Sequence, residues 1–253
     1  MLSRLLYKKN LGFPYVSLFL LLSCLLVSLP TYFSINYYSL FGASDSPAYP
    51  WQNPITSQLE HGSYITELTG DGIPLLVHLF GNVMVILFFG VMAERLLGTF
   101  RFLLLSVIAG LVSYLLTITF RMYENGASGI VWAYGPVAFV ILVQLFKKDR
   151  RRLLKDILFY VSVLLLFLMW IVVSFLGGLS TLLFHLASTA VGVIFTWLWR
   201  KDIHTRTIKA ADSVILPKLT NVKLVIFSTL LPVLILILLL LSSTGMITVS
   251  TPA

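Results

Sequence analysis

The run LSTLLFHLASTAVGVIFTWLW, residues 179–199, decides the fold class of this chain. It contains no Asp, Glu, Lys or Arg, and about 20 apolar residues are enough to cross the hydrocarbon core of a bilayer as an α-helix. A helix is expected because every backbone polar group in hydrocarbon needs a partner within the protein. His185 interrupts this run, and a polar side chain at membrane depth is a functional candidate because its burial is costly.

Six further apolar runs of similar length occur along the chain. Together with the first they predict helical spans at residues 15–35, 74–97, 101–121, 127–146, 153–175, 179–199 and 222–242. The composition agrees, since 58% of residues are hydrophobic and 11% are charged, whereas about a quarter are charged in a typical soluble domain. We therefore predict an all-α, polytopic membrane helical bundle, in which any chemistry lies within the membrane or in the one long loop.

The distribution of Lys and Arg predicts the orientation, because short cytoplasmic loops are enriched in both. With alternating spans, all but one of the 18 basic residues fall on one side, Arg121 being the exception. We expect a multi-pass protein of the cell membrane with a cytoplasmic amino terminus and an outer carboxyl terminus. The predicted regions are the amino terminus, 1–14; the membrane domain, 15–200, with an outer loop at 36–73; a basic cytoplasmic loop, 201–221; and a seventh span with a short outer tail, 222–253.

The net charge of +8 does not indicate nucleic-acid binding. Basic residues cluster at the ends of the apolar runs, where they orient the chain. The densest cluster, residues 147–155, is expected to meet anionic membrane lipid. Membrane lipids are therefore expected partners and nucleic acid is not.

Three of the predicted spans carry polar residues near their outer ends. His78 and Asn82 lie one turn apart in the second span, Ser128 lies in the first turns of the fourth, and His185 lies in the sixth. At 1.5 Å per residue, His78 is ~6 Å and His185 ~10 Å below the outer ends of their helices. Three parallel helices thus place a serine, two histidines and an asparagine in one layer of the outer leaflet.

Such a layer permits nucleophilic acyl transfer. A serine hydroxyl becomes an effective nucleophile when a positioned imidazole takes its proton. The side chains of His78 and Asn82 and the amide of Ser128 are candidate donors to the developing oxyanion, while Gly126 and Gly129 allow close approach of backbone. No carboxylate occurs at this depth in the fourth or sixth span, so the machinery would be a Ser–His dyad. The sequence contains no cluster of His, Cys and carboxylate residues, so neither a metal nor a cofactor is expected.

Three motifs resemble those of the rhomboid family of intramembrane serine proteases. GASG at 126–129 is similar to the family's Gly-x-Ser-Gly at the start of the fourth span. HLFGN at 78–82 is similar to its second-span His-x-x-x-Asn, and HLASTAVG at 185–192 to its sixth-span histidine followed by small residues. FFGVMAERLLG at 88–98 resembles the family's Gly…Glu…Gly stretch. The resemblance covers roughly residues 50–200.

The resemblance implies a role for each matching residue. Ser128 would be the nucleophile and His185 the general base, with His78 and Asn82 as oxyanion donors. Trp132 occupies the position of an aromatic residue that packs against the catalytic histidine. The implied fold is a six-span rhomboid-like core plus one carboxy-terminal span. The implied function is intramembrane endopeptidase cleavage of transmembrane helices near the outer membrane face, with transmembrane proteins as substrates.

The chain also departs from the family pattern. Gln52 follows Trp51 where many members have Trp-Arg, Ser188 replaces a usual glycine, and Phe184 stands where a small residue is common. His61 fits the family's loop histidine, but a longer insertion separates it from the second span. These departures bear on loop structure and on the packing of the fourth and sixth spans.

Other interpretations remain open at this point. The GASG motif also suits close packing of membrane helices, and His78 with Asn82 could join helices by hydrogen bonds. The chain could be a catalytically impaired rhomboid-like protein that binds membrane helices without cleaving them. A transporter is a third class, since intramembrane His and Asn can relay protons, although no inverted repeat and no mid-span acidic residue supports it.

Overall fold

The computed structural model of the protein describes residues 12–32, 56–59, 61, 75–120, 126–167 and 178–212. Most of the predicted outer loop, including Trp51, and the whole predicted seventh span lie outside these ranges. Within them all regular structure is helical, and the described residues form no strand. The all-α prediction is therefore confirmed for the described part of the chain.

In the described ranges ten α-helices follow one another. They are α1 Tyr15–Tyr32, α2 Thr56–Leu59, α3 Leu75–Val85, α4 Val91–Leu97, α5 Thr99–Thr119, α6 Ser128–Val131, α7 Tyr134–Leu153, α8 Ile157–Phe167, α9 Gly178–Leu198 and α10 Arg200–Asp212. A π-helical turn, Ile86–Gly90, joins α3 to α4. In this part of the chain four stretches are long and apolar enough to cross a membrane: His78–Leu97, Thr99–Thr117, Ser128–Leu153 and Thr181–Leu198. The predicted six-span core with one carboxy-terminal span stays a prediction. Helices α1 and α8 contribute shorter apolar helices, and residues 222–242 are not described.

The fourth predicted span, residues 127–146, consists of two helices. Helix α6 is followed by a turn at Trp132 and Ala133, and α7 then begins at Tyr134. Pro136 lies in the first turn of α7, where its missing N–H costs no intrahelical hydrogen bond. The helical segment extends to Leu153, beyond the predicted end at 146, since the Lys and Arg side chains that follow the apolar run are good helix formers. Asp149, with φ −153° and ψ 77°, is not helical, so a kink separates the last turn of α7 from the rest of the helix.

The segment predicted as a basic cytoplasmic loop, residues 201–221, contains helix α10. This helix packs against α4 and α7, with Ile203 and Thr207 fully buried. The Arg206 guanidinium donates a hydrogen bond to the Leu97 carbonyl at 3.0 Å. It thereby satisfies a carbonyl at the carboxyl end of α4 that has no partner within the helix. Gly98, with φ 86°, then reverses the chain into α5.

Helix α1 is attached to the rest of the bundle through the Glu94 side chain. Glu94 is 1% exposed, and its carboxyl oxygens accept hydrogen bonds from the backbone N–H groups of Val16 at 3.0 Å and Ser17 at 2.8 Å. They also accept one from the Ser17 hydroxyl at 2.8 Å. These N–H groups belong to the first turn of α1, where a helix leaves its donors unpaired. Glu94 therefore caps α1 from a different helix.

We predict that Glu94→Ala destabilises the protein strongly, because it leaves three donors unpaired, of which the two on Ser17 are buried. The expected loss is about 3 kcal/mol or more in the free energy of unfolding, given that a hydrogen bond to a charged group contributes about 1.5–3 kcal/mol. The thermal unfolding midpoint in detergent micelles measures it. Asp202→Ala is the matched control, since Asp202 is half exposed in its ion pair with Arg101 and such a pair contributes at most about 1 kcal/mol. Equal losses in the two variants would contradict the capping role.

Candidate active site

Ser128 begins α6 at a turn that requires glycine. Gly126 has φ 94°, a left-handed conformation that side chains disfavour. A Cβ at this position would also lie 2.9 Å from His78 Cε1 and 3.1 Å from His61 Cδ2. Ala127 O then accepts hydrogen bonds from the N–H groups of Ile130 and Val131, both at 2.9 Å. Ser128 is thus held in a tight turn and is 4% exposed.

Gly129 is surrounded on three sides by other parts of the chain. A Cβ there would lie 2.7 Å from each of three atoms: Gln58 Oε1, Phe184 Cζ and Ser113 Cβ. The Ser113 hydroxyl also donates to Gly129 O at 2.9 Å. Because any side chain at 129 would displace these neighbours, glycine lets α2, α5 and α9 meet next to Ser128.

His185 lies on α9 with its ring stacked on Trp132. The ring centroids are 3.9 Å apart and the planes differ by 10°. Trp132 is one helical turn after Ser128, and its N–H donates to Ser128 O at 3.2 Å. His185 is 3% exposed, and its Nδ1 is buried with no hydrogen-bond partner among the described residues. The structure therefore brings the imidazole against the segment that starts at Ser128, while no hydrogen bond joins the two side chains in the part of the chain described.

Close packing of α9 against the turn before α7 places His185 in this position. Gly192, two turns after His185, faces Ala133 so closely that an added Cβ would clash with the Ala133 carbonyl oxygen. Small residues permit such backbone contact between membrane helices. The last small residue of the HLASTAVG motif, Gly192, thus has a packing role.

His61 forms the centre of a buried hydrogen-bond network next to the turn that precedes Ser128. Its ring Nδ1 lies 3.0 Å from Leu59 O, and its Nε2 lies 2.9 Å from Asn82 Nδ2 and 3.3 Å from the Ala127 N. A carbonyl can only accept, so we assign the proton to Nδ1, and Nε2 accepts from both Asn82 and Ala127. The Ser28 hydroxyl accepts from the His61 N–H at 3.1 Å. His61 thereby links α1, α3 and the turn before Ser128.

The predicted oxyanion donors both converge on His61. His78 packs against its ring edge-on, with centroids 4.9 Å apart and planes at 71°. Asn82 is buried and uses one of its two amide hydrogens for His61 Nε2. In the sequence His61 matches a loop histidine of the family, but it is not among the predicted site residues. Its 17-residue separation from His78 gave no signal of contact.

The network favours a neutral His61. Burial lowers the pKa of His61 well below its usual range, the nearby His78 lowers it further, and the hydrogen bond to Leu59 opposes both. Because the folded chain holds the neutral form, the unfolded chain takes up a proton first as the pH falls. The contribution of neutral His61 to the free energy of unfolding is fully present above about pH 6.5 and is lost as the pH falls below that value.

We predict that acidification destabilises the wild-type protein more than a His61→Gln variant. Between pH 7.5 and pH 5.5 the thermal midpoint of the wild type should fall further, since protonating Nε2 breaks the bonds to Asn82 and Ala127. His78 and His185 are present in both proteins, so the difference reports His61 together with its interaction with His78. An equal fall in both midpoints would argue against a buried neutral His61.

A second prediction concerns the contact that seats α9. Gly192→Ala should lower the free energy of unfolding by about 1–3 kcal/mol, the usual cost of overpacking. Gly81→Ala is the matched control, because nothing lies within 4 Å of a Cβ at Gly81 and a helical Gly→Ala change gains about 0.5–1 kcal/mol. Thermal unfolding of both variants tests this. A Gly192→Ala protein as stable as the wild type, or an equal loss in the two variants, would refute it.

Among the described residues no group of three or more His, Cys, Asp or Glu side chains could hold a metal ion.

The comparison with known families gives one result: the model of the Rhomboid domain matches residues 76–202. No curated protein and no solved structure matches the chain. The match spans half of the chain and includes His78, Asn82, Ser128 and His185. With its apolar membrane-crossing helices, this multi-pass membrane protein therefore belongs to the rhomboid family.

Proposed function

We propose that this protein is an intramembrane serine endopeptidase that cleaves transmembrane helices near the outer membrane face. Ser128 is the proposed nucleophile and His185 the proposed general base. The observation that carries the proposal is the stacking of His185 on Trp132, one helical turn after Ser128. A buried imidazole whose Nδ1 has no hydrogen-bond partner among the described residues supports a general base, and the proposal requires that this base comes within hydrogen-bond reach of the Ser128 hydroxyl during catalysis.

Stacking takes the place of the carboxylate that orients the base in a triad. The indole of Trp132 restricts the imidazole plane of His185 from one face. In the described residues no Asp or Glu bonds to His185, and buried Glu94 is engaged with α1. A neutral imidazole with a free nitrogen can accept the hydroxyl proton of Ser128 and return it to the leaving amine. The dyad therefore needs no ionised partner at membrane depth.

The proposed oxyanion donors are the Asn82 amide, the His78 ring and the Ser128 N–H. Asn82 retains a second amide hydrogen after its bond to His61. His61 holds that amide at 2.9 Å and touches the Ala127 N–H next to Ser128. His61 therefore acts as a positioning residue, because it orients a donor before the tetrahedral intermediate forms.

The proposed substrates are transmembrane proteins that enter the site sideways, between the second and fifth spans. A helical peptide bond is shielded by its own hydrogen bonds, so the substrate must unwind locally near the outer boundary. Substrates with Gly or Pro at that depth are expected, since both residues weaken a helix. Hydrolysis also needs water, which implies access from the outer side of the cell membrane. The amino terminus would then be cytoplasmic and the carboxyl terminus outside, as the Lys and Arg distribution predicts.

We expect Ser128→Ala to abolish cleavage of a model transmembrane substrate by the purified protein in micelles. The rate should fall by at least about a thousandfold, because removing the nucleophile of a catalytic unit removes most of its catalysis. Cleavage is read by gel and by mass spectrometry of the products. Ser106→Ala is the matched control, a buried serine on α5 that lies outside the proposed site and substrate entry and should retain activity within a few-fold. Undiminished cleavage by Ser128→Ala would refute the proposal.

A catalytically impaired rhomboid-like protein that binds membrane helices is the second candidate. Two observations favour it: no hydrogen bond joins Ser128 and His185 in the described structure, and Phe184 packs tightly onto Gly129. A fluorophosphonate probe separates the two functions, since it labels an activated serine. Labelling that requires both Ser128 and His185 supports the protease. Its absence in folded wild-type protein supports the binding function.

A further inference from the structure

An open groove lies between α7 and α10, at the end of the fourth span opposite to Ser128. It is a cavity of about 520 Å³ lined on α7 by Phe139, Val143 and Lys147 and on α10 by His204 and Ile208. We name it the basic groove. A second cavity of about 630 Å³ shares His204 and Ile208 with it and continues along α10. The site described above does not include any of these residues.

The basic groove changes from apolar to cationic along α7. Phe139 is 59% exposed, as a side chain that faces hydrocarbon would be. Lys147 is two turns further along the helix, about 12 Å away at 1.5 Å per residue. It lies about 28 Å along the helical path from Ser128, close to the thickness of the hydrocarbon core, about 30 Å. Lys147 is thus at the depth of lipid headgroups, and Phe139 at the depth of acyl chains.

The charges around the groove have a cationic excess. Lys148 is neutralised by Asp212 at 2.7 Å, whereas exposed Lys147 has no ion pair among the described residues. Lys209 lines the adjoining cavity. Residues 213–253 contain no Asp or Glu. A partner that supplies a negative charge next to an apolar chain fits this surface.

We propose that the basic groove binds an anionic phospholipid, with its phosphate near Lys147 and one acyl chain along Phe139 and Val143. Each Lys or Arg near a membrane surface attracts anionic lipid. The adjacent apolar side chains contact the acyl chain, so that one lipid binds through both its headgroup and its chain. Because the lipid would contact both helices, it holds α10 against α7. This function does not depend on proteolysis.

The test is titration of the full-length protein in detergent with phosphatidylglycerol, followed by native mass spectrometry. Phosphatidylcholine with the same acyl chains is the neutral comparison, and glycerol phosphate is the headgroup without chains. We expect the wild type to retain phosphatidylglycerol at least about tenfold more tightly than phosphatidylcholine, since one or two lysines each contribute roughly a factor of five. Equal retention of the two lipids, or tight binding of glycerol phosphate, overturns the proposal.

Two variants then separate the groove from general surface charge. Lys147→Glu should weaken phosphatidylglycerol retention about tenfold, whereas Lys155→Glu, the same change at an exposed position outside the groove, should leave it within twofold. Val143→Trp fills the apolar wall without changing charge and should also weaken retention. Thermal unfolding without added lipid establishes that each variant is folded. Equal effects of Lys147→Glu and Lys155→Glu, or no effect of Val143→Trp in folded protein, contradict the basic groove.

Discussion

Hydrogen bonding of buried polar groups across helices is the constraint on which both ends of this molecule depend. Hydrocarbon offers no partner for an unpaired donor or acceptor, so each buried group has to find one within the protein. At one end Glu94 caps the first turn of α1, and Arg206 satisfies the carboxyl end of α4. At the other end His61 accepts from Asn82 and from the backbone next to Ser128.

Close backbone contact acts together with these bonds to build the candidate site. Gly126, Gly129 and Gly192 each lie where a side chain would strike a neighbour. The contact at Gly192 seats α9 on Ala133, and the stacking on Trp132 then fixes the plane of His185. Glycines therefore determine how near the helices come, and the aromatic pair determines how the imidazole is oriented. The proposed dyad depends on both, because proton transfer needs a defined distance and direction.

The proposed catalytic layer and the basic groove lie at opposite ends of the predicted fourth span. The proposed catalytic layer lies at the start of α6, where the turn is tight and buried. The basic groove lies at the other end of the same predicted span, where α7 carries its Lys and Arg residues and α10 packs beside it. Membership of the rhomboid family supports the proposed catalytic layer. The proposal for the basic groove rests on the charge and shape of α7 and α10.

The sequence by itself determined the helical class, because long runs without charge can be satisfied in a bilayer only as helices. It also made Ser128, His185, His78 and Asn82 the predicted site residues, since polar residues in such runs are few and three of the runs resemble family motifs. It could not show that His61 reaches Asn82, that α10 is a helix packed on α4 and α7, or that Trp132 lies flat on His185. Those are contacts between segments distant in sequence, and neither periodicity nor local propensity contains the distance between two helices. Only tertiary packing decides which buried polar groups become partners.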